Sequence, residues 1–208
     1  SNTIITGSDS HRIMIIGNNT NGVYELGEIY EDANNNGLYD SGEYYEDIHT
    51  TQNESNFNIE NFTFTQGFVD GSHGGALYVN RISSITLDNV DMITNRVDGS
   101  SSVGGAMYLL RSTAYVTNST FADNYAGSNA TYKGGGAINN ASSNLYLTRC
   151  LFYGNVAQNG SGGAIYQLRQ GGSDPYPSLY IDYTTFADHT GSAIFSDDYV
   201  DMEFGTGC

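Results

Sequence analysis

"GGAMYLLRSTAYVTNSTFADN", residues 104–124, is the stretch that decides the fold. It opens on a glycine pair. It continues through an alternating run, Ala114-Tyr115-Val116-Thr117-Asn118, and ends with Phe121 three residues before Asn124. Alternation of apolar and polar residues gives a strand with one buried and one wet face. The same wording recurs along the chain. The glycine blocks are "GGAL" from Gly74, "GGAM" from Gly104, "GGAI" from Gly135, "GGAI" from Gly162 and "GSAI" from Gly191, with starts 30, 31, 27 and 29 residues apart. A second ladder follows each block, ending at Asn95, Asn124, Asn155 and His189. Between the two lie alternating runs, "SITLDN", "AYVTN", "NLYLTR" and "SLYIDY". An earlier copy, "FNIENFTFTQG" from Phe57 to Gly67, lacks a GGA block of its own.

Each period of about 29 residues thus holds three short strands separated by turns rich in glycine and asparagine, residues that supply positive φ at low steric cost. No segment has a convincing helical period. A three-strand unit cannot bury its apolar face alone, but stacked copies can. The sequence therefore predicts an all-β fold, a right-handed parallel β-helix (solenoid) with about three short strands per ~29-residue coil and coils about 4.8 Å apart. Residues 1–208 read as a single domain. Leu77, Met107, Ile138, Ile165 and Ile194 are expected to form one inward column, and Phe64, Met92, Phe121, Phe152 and Phe186 another. Asn95, Asn124 and Asn155 are expected to stack at a corner, with His189 continuing the column. A β-sandwich is the alternative, and the regular spacing with repeated wording argues against it.

The repeat, a GGAI block followed by an alternating strand and F-x-x-N, resembles the β-helix repeats of the pectate-lyase-like superfamily. Its nearest flavour is the GGAI/FxxN repeat of polymorphic outer membrane proteins and related bacterial surface proteins. "NTIITGSDSHRIMII" near the start is similar to the first coil of such chains. The resemblance implies coil geometry; one fold hosts many activities, so it does not fix a function.

The chain carries 23 acidic residues against seven Lys and Arg, a formal net charge of −16. That balance repels nucleic acid and anionic membrane surfaces. No apolar run approaches the ~20 residues that span a bilayer, and no signal-peptide pattern is present. Neither "SNTIITG" nor "FGTGC" reads as a natural terminus, so a mature piece or a fragment of something longer is expected. Cys150 and Cys208 make no disulfide framework. Cys150 is expected to be a buried thiol, unpaired with Cys208, which comes about two coils later and beyond disulfide reach.

An acidic insert at about 17–52 interrupts the repeat and is expected to fall between the first coil, Thr3 to Ile16, and the next, Phe57 to Thr65. Residues 17–28, "GNNTNGVYELGE", align under residues 32–43, "DANNNGLYDSGE", at a constant offset of 15. The second copy fits the calcium-loop template D-x-[DN]-x-[DN]-G-x5-E. Asp32, Asn34, Asn36, the Leu38 carbonyl, Asp40 (directly or through water) and Glu43 are the expected ligands. Alternate residues of a tight loop converge the hard oxygens that Ca2+ prefers, and Mg2+ suits such a loop less well. The first copy lacks the leading Asp and is expected to form a weaker site through Asn19, Asn21, Glu25 and Glu28. Asp47 is a candidate to complete a shared site. Tandem loops of this kind resemble those of bacterial extracellular surface proteins. The ion is expected to be structural, pinning a long excursion against its ordering entropy.

No catalytic set emerges. Arg81, Arg96, Arg111 and Arg149 look scattered and match no lyase pattern. Asp88 with Asp91, or Asp197, Asp198 and Asp201, are outward acidic groups that read as a solvated face. His11, His49, His73 and His189 show no zinc spacing. Tyr146, Tyr180 and Tyr183 point outward, as sugar-stacking groups or as cross-strand packing. The reading is a bacterial extracellular or cell-surface structural or adhesive protein (a stalk, passenger or filament subunit) stabilised by calcium. Head-to-tail self-association and a glycan or other cell-surface ligand are its expected partners. The alternative is a polysaccharide-binding enzyme, a lyase or glycoside hydrolase, working on a face of the β-helix.

Overall fold

A computed structural model describes residues 3–6, 12, 14–17, 56–127, 134–158, 161–172, 174–197 and 201–205. Every strand pairing among them is parallel, and the strands stack as a β-solenoid of about 5 turns. No helix occurs among the described residues. The three strands expected per coil form three six-stranded sheets. The Phe sheet stacks Thr3–Thr6, Phe62–Thr65, Asp91–Ile93, Thr120–Ala122, Leu151–Tyr153 and Thr185–Ala187. The GGA sheet stacks Met14–Gly17, Leu77–Asn80, Met107–Leu110, Ile138–Ala141, Ile165–Leu168 and Ile194–Ser196. The alternating sheet stacks Asn56–Glu60, Ser84–Asp88, Thr113–Thr117, Asn144–Thr148, Ser178–Asp182 and Asp201–Phe204.

A fourth sheet adds to the expected three. Phe68–Asp70, Arg96–Asp98, Tyr125–Gly127 and Val156–Ala157 pair in a short ladder after the Asn corner. Strands of two or three residues are too short for alternation to reveal them in a sequence.

The register is the one the repeat dictates. Met107 pairs with Leu77 and Ile138, Ile138 with Ile165, and Ile165 with Ile194. Phe121 pairs with Met92 and Phe152, and Phe152 with Phe186. The Phe121 and Phe152 rings stack at 4.7 Å and 3°, the Phe152 and Phe186 rings at 4.9 Å and 13°. Phe64, Met92, Phe121 and Phe152 are fully buried, as are Leu77, Met107, Ile138 and Ile165. Coil-on-coil burial of these two columns, with the Leu87, Val116 and Leu147 column beside them, is the core.

The insert enters the fold at a different point from the expected one. Met14–Gly17 pairs with Leu77–Asn80, and Asn56–Glu60 pairs with Ser84–Asp88. Both therefore belong to one coil, and the insert interrupts that coil between its GGA-sheet and alternating-sheet strands instead of separating two coils. The copy at Phe57 to Gly67 has a GGA-sheet strand after all. It is "MIIG", whose wording hides it because it carries no glycine pair before the strand.

Up to four corners per coil are made by single residues at positive φ, with Gly154 the one glycine among the corners after the Phe sheet. Glycine fills the corner before the GGA sheet, at Gly74, Gly104, Gly135, Gly162 and Gly191. Apart from Gly154, the other three take side chains, among them Arg81 (55°), Arg111 (47°) and Ser142 (50°) after the GGA sheet, and Asn61, Asn89, Asn118, Arg149 and Tyr183 after the alternating sheet. A left-handed non-glycine residue costs roughly 1–2 kcal/mol, so the ladder of neighbouring coils holds these corners in place. The second glycine of each block answers to closeness instead of φ. A Cβ on Gly105 would lie 2.2 Å from the Gly136 carbonyl oxygen, and one on Gly136 would lie 2.1 Å from that of Gly163. The clash always points at the following coil. The last block has Ser192 at this position, and among the described residues no GGA-sheet strand stacks beyond Ile194–Ser196.

Corner backbone groups are satisfied by small side chains. The Ser112 hydroxyl accepts the Ile82 N–H and donates to the Leu110 carbonyl. Ser143 does the same one coil on. Ser119, Cys150 and Thr184 form a second such column. Cys150 is buried and free among the described residues, and burial pushes its thiol up to about 11. Cys208 lies outside the described residues.

Candidate functional site

All proposed calcium ligands, Asp32, Asn34, Asn36, Leu38, Asp40 and Glu43, lie outside the described residues, as do Asn19, Asn21, Glu25, Glu28 and Asp47. No group of three or more His, Cys, Asp or Glu side chains that could hold a metal occurs among the described residues. His11, His49 and Asp198 are likewise outside them.

The buried polar column is the Asn corner. The Asn124 amide nitrogen donates to the Met92 carbonyl at 2.9 Å and to Asn155 Oδ1 at 2.9 Å, while its Oδ1 accepts from Asn95 N and Nδ2. Asn95 and Asn155 repeat the pattern, and all three are fully buried. His189 ends the column as expected: its Nδ1 accepts the Asn155 N–H at 3.2 Å. Burial holds its imidazole below the ordinary histidine value of 6.5. The three asparagines are satisfied within the column, whereas His189 Nε2 is buried with no partner among the described residues.

The outward tyrosines pack on each other. Tyr115 and Tyr146 stack at 4.9 Å and 16°, and Tyr180 follows tilted at 6.2 Å. The faces between these three rings are taken up by one another, as in cross-strand packing, while Tyr183 lies outside the ladder and is exposed. Two of the acidic candidates are equally committed. Asp88 Oδ1 accepts from the Thr117 hydroxyl at 2.6 Å and the Asn118 amide at 2.7 Å, which hold its carboxyl below the usual value. Asp197 accepts from the Tyr166 hydroxyl at 3.1 Å.

A concave feature lies on the corner between the GGA and alternating sheets. It is a groove of about 360 Å³, lined in part by Arg81, Ser83, Arg111, Thr113, Asn144 and Pro175. Arg81 and Arg111 occupy the same left-handed corner position in successive coils. They are 30 residues apart, the spacing of Gly74 and Gly104, and that spacing is the signal that makes them a column instead of scattered residues. The corner loop of the next-but-one coil, between Leu168 and Ser178, folds back over them. Asp174 accepts a two-pronged ion pair from Arg111, Nε to Oδ1 at 3.0 Å and Nη2 to Oδ2 at 2.9 Å. Arg169 holds the loop from its other side, donating to the Asp174 carbonyl and lying over the Tyr176 ring at 4.4 Å. The Arg111 hydrogen bond holds the Asp174 carboxyl below its usual value, helped by the charges of Arg111, Arg169 and Arg81.

Comparison with family models, with curated proteins and with solved structures returns no match. What the fold defines is a parallel β-solenoid class of repeat protein.

Proposed function

We propose that the chain is a bacterial extracellular or cell-surface protein of structural or adhesive role, stabilised by calcium at its tandem insert. The observation that carries this reading is the uninterrupted register of the coils: like side chains stack from Leu77 to Ile194 and from Phe64 to Phe186. Such an array is stiff and is stabilised by nearest-neighbour contacts alone, which suits a stalk or passenger. The likeness of the GGAI/FxxN wording to polymorphic outer membrane proteins of the pectate-lyase-like superfamily supports the surface location. The D-x-N-x-N-G loop at residues 32–37 supports Ca2+ at the millimolar affinity of extracellular modules. No helix among the described residues is long and apolar enough to cross a membrane. Of the structural roles, stalk or passenger is favoured over filament subunit, because Ser192 stands where the earlier blocks keep a Cβ-free glycine against the following coil.

The enzyme alternative has less support. The carboxylate beside the groove, Asp174, is ion-paired and held ionised, so it does not suit the protonated acid a glycoside hydrolase needs. Negative-stain imaging and thermal unfolding with calcium and with a chelator test the proposal together. Calcium at ten times its dissociation constant is expected to add about 1.4 kcal/mol of stability, and Asp32→Ala with Glu43→Ala to abolish that gain. An unfolding temperature indifferent to chelator would sink the calcium reading. Calcium-dependent filaments in the images would replace the stalk by the filament form.

A further inference from the structure

Three of the seven basic residues of this acidic chain, Arg81, Arg111 and Arg169, gather at one corner. Asp174 alone of the carboxylates there answers them, and it is spent on Arg111. Arg169 donates to the carbonyls of Gly172 and Asp174 and to the Tyr176 hydroxyl, all neutral acceptors. The Arg81 side chain, exposed on the groove wall, makes no hydrogen bond or ion pair among the described residues. The corner thus holds positive charge that its own residues do not neutralise.

Asp174 on Arg111 demonstrates what an arginine at this corner position accepts: a planar carboxylate, taken by both prongs of the guanidinium fork. One coil below, the same position presents the same fork with no carboxylate on it. Around it the groove is hydroxylated and amidic. Ser83 and Thr113 have side-chain hydroxyls with no partner among the described residues. Asn144 uses its Oδ1 to accept from Ser178, which leaves its amide N–H groups to donate. The apolar lining is confined to Pro175 and to Ile82, itself 2% exposed, too little to seat a peptide's apolar side chains. Polar donors and acceptors around one positive centre match a ligand that carries hydroxyls beside its carboxylate.

We propose that this groove is a binding site for a small polyhydroxy acid, with Arg81 taking the carboxylate as Arg111 takes Asp174, and Ser83, Thr113 and Asn144 meeting the hydroxyls. The site stands whether or not the chain serves as a surface stalk. It also accounts for the corner loop: by committing Asp174 to Arg111, the loop between Leu168 and Ser178 walls the groove and leaves the Arg81 fork for an incoming ligand.

The test is a titration of the full chain with D-gluconate, followed by amide NMR shifts, with D-glucitol as the matched neutral polyol. Gluconate is expected to saturate and to move the signals of Arg81, Ser83, Thr113 and Asn144, while glucitol moves none. Arg81→Gln is expected to weaken gluconate about tenfold or more with an unchanged unfolding temperature. Arg81→Lys, which keeps the charge and loses the fork, should fall between wild type and Gln. Arg149→Gln, at a corner outside the groove, should bind as wild type does. The proposal is overturned by the absence of saturation up to roughly 0.1 M gluconate, by equal binding to the Arg81→Gln protein, or by glucitol binding as well as gluconate. Tighter binding of inorganic phosphate overturns it as an adventitious anion site, and tighter binding of an acidic tripeptide overturns it in favour of a polypeptide partner.

Discussion

The middle coils and the last described coil obey one pattern and meet different fates. In the alternating sheet, Leu87, Val116, Leu147, Ile181 and Phe204 stand in one column. The first four are at most 1% exposed, while Phe204 is 61% exposed. Its neighbour Met202, paired with fully covered Leu179, is 43% exposed. Phe186 and Ile194 likewise end their columns only partly buried. The side chains are as apolar at the end as in the middle; what differs is the presence of a coil on top. In a solenoid, burial is conferred by the neighbour and not by the residue's own coil.

Substitutions that pit middle against end sharpen this contrast. The largest effect is expected for Phe121→Ala, which opens a cavity between stacked rings and should cost about 3–5 kcal/mol in urea unfolding; Phe204→Ala should cost under about 1 kcal/mol. Equal losses would mean that the last strand is covered in solution. Asn124→Ala comes next. It removes the acceptor of the buried Asn95 N–H and the donor to the Met92 carbonyl, and an expected loss of about 2–3 kcal/mol follows from two unsatisfied backbone groups. Gly105→Ala should cost at least about 2 kcal/mol, since its Cβ would press on backbone atoms of Gly136 and Tyr125, which cannot swing aside.

The end of the Asn column supplies a pH-dependent contrast. His189 has a folded value below the unfolded 6.5, so the unfolded chain binds its proton first as pH falls. The stability tied to neutral His189 is therefore complete above about 6.5 and drains away as pH drops through the folded value. Comparing denaturant midpoints of wild type and His189→Asn between pH 7.5 and 5 isolates this term; the amide variant should lose less stability on acidification. Parallel curves would show that the imidazole already titrates normally in the fold. The smallest effect is expected for Ser192→Gly, which leaves unfolding unchanged within about 0.5 kcal/mol but should raise concentration-dependent association in gel filtration. An unaltered elution profile would remove Ser192 as the obstacle.

Large repeated side chains made the fold legible. The Phe column, the GGA column, the Asn corner and its continuation at His189 all announce themselves by spacing. The short sheet did not, because two or three residues such as Val156–Ala157 cannot display a period. Nor did the corners: glycine and asparagine were the expected occupants, whereas arginine, tyrosine and serine hold positive φ here because adjacent coils pin the backbone. The arginine groove was half legible. Arg81 and Arg111 share the repeat spacing, but the return of Asp174 across two coils depends on a corner loop whose path no periodicity encodes.

The glycine column has a bearing on how such a molecule changes length over generations. Within the array every coil tolerates the one stacked after it, so copying a coil internally preserves each close backbone approach. Appending a coil after Ser192 would first require that residue to lose its side chain. Copying a glycine-bearing coil thus keeps each close approach, whereas a copy of the Ser192 block set inside the array would bring a side chain against the following backbone.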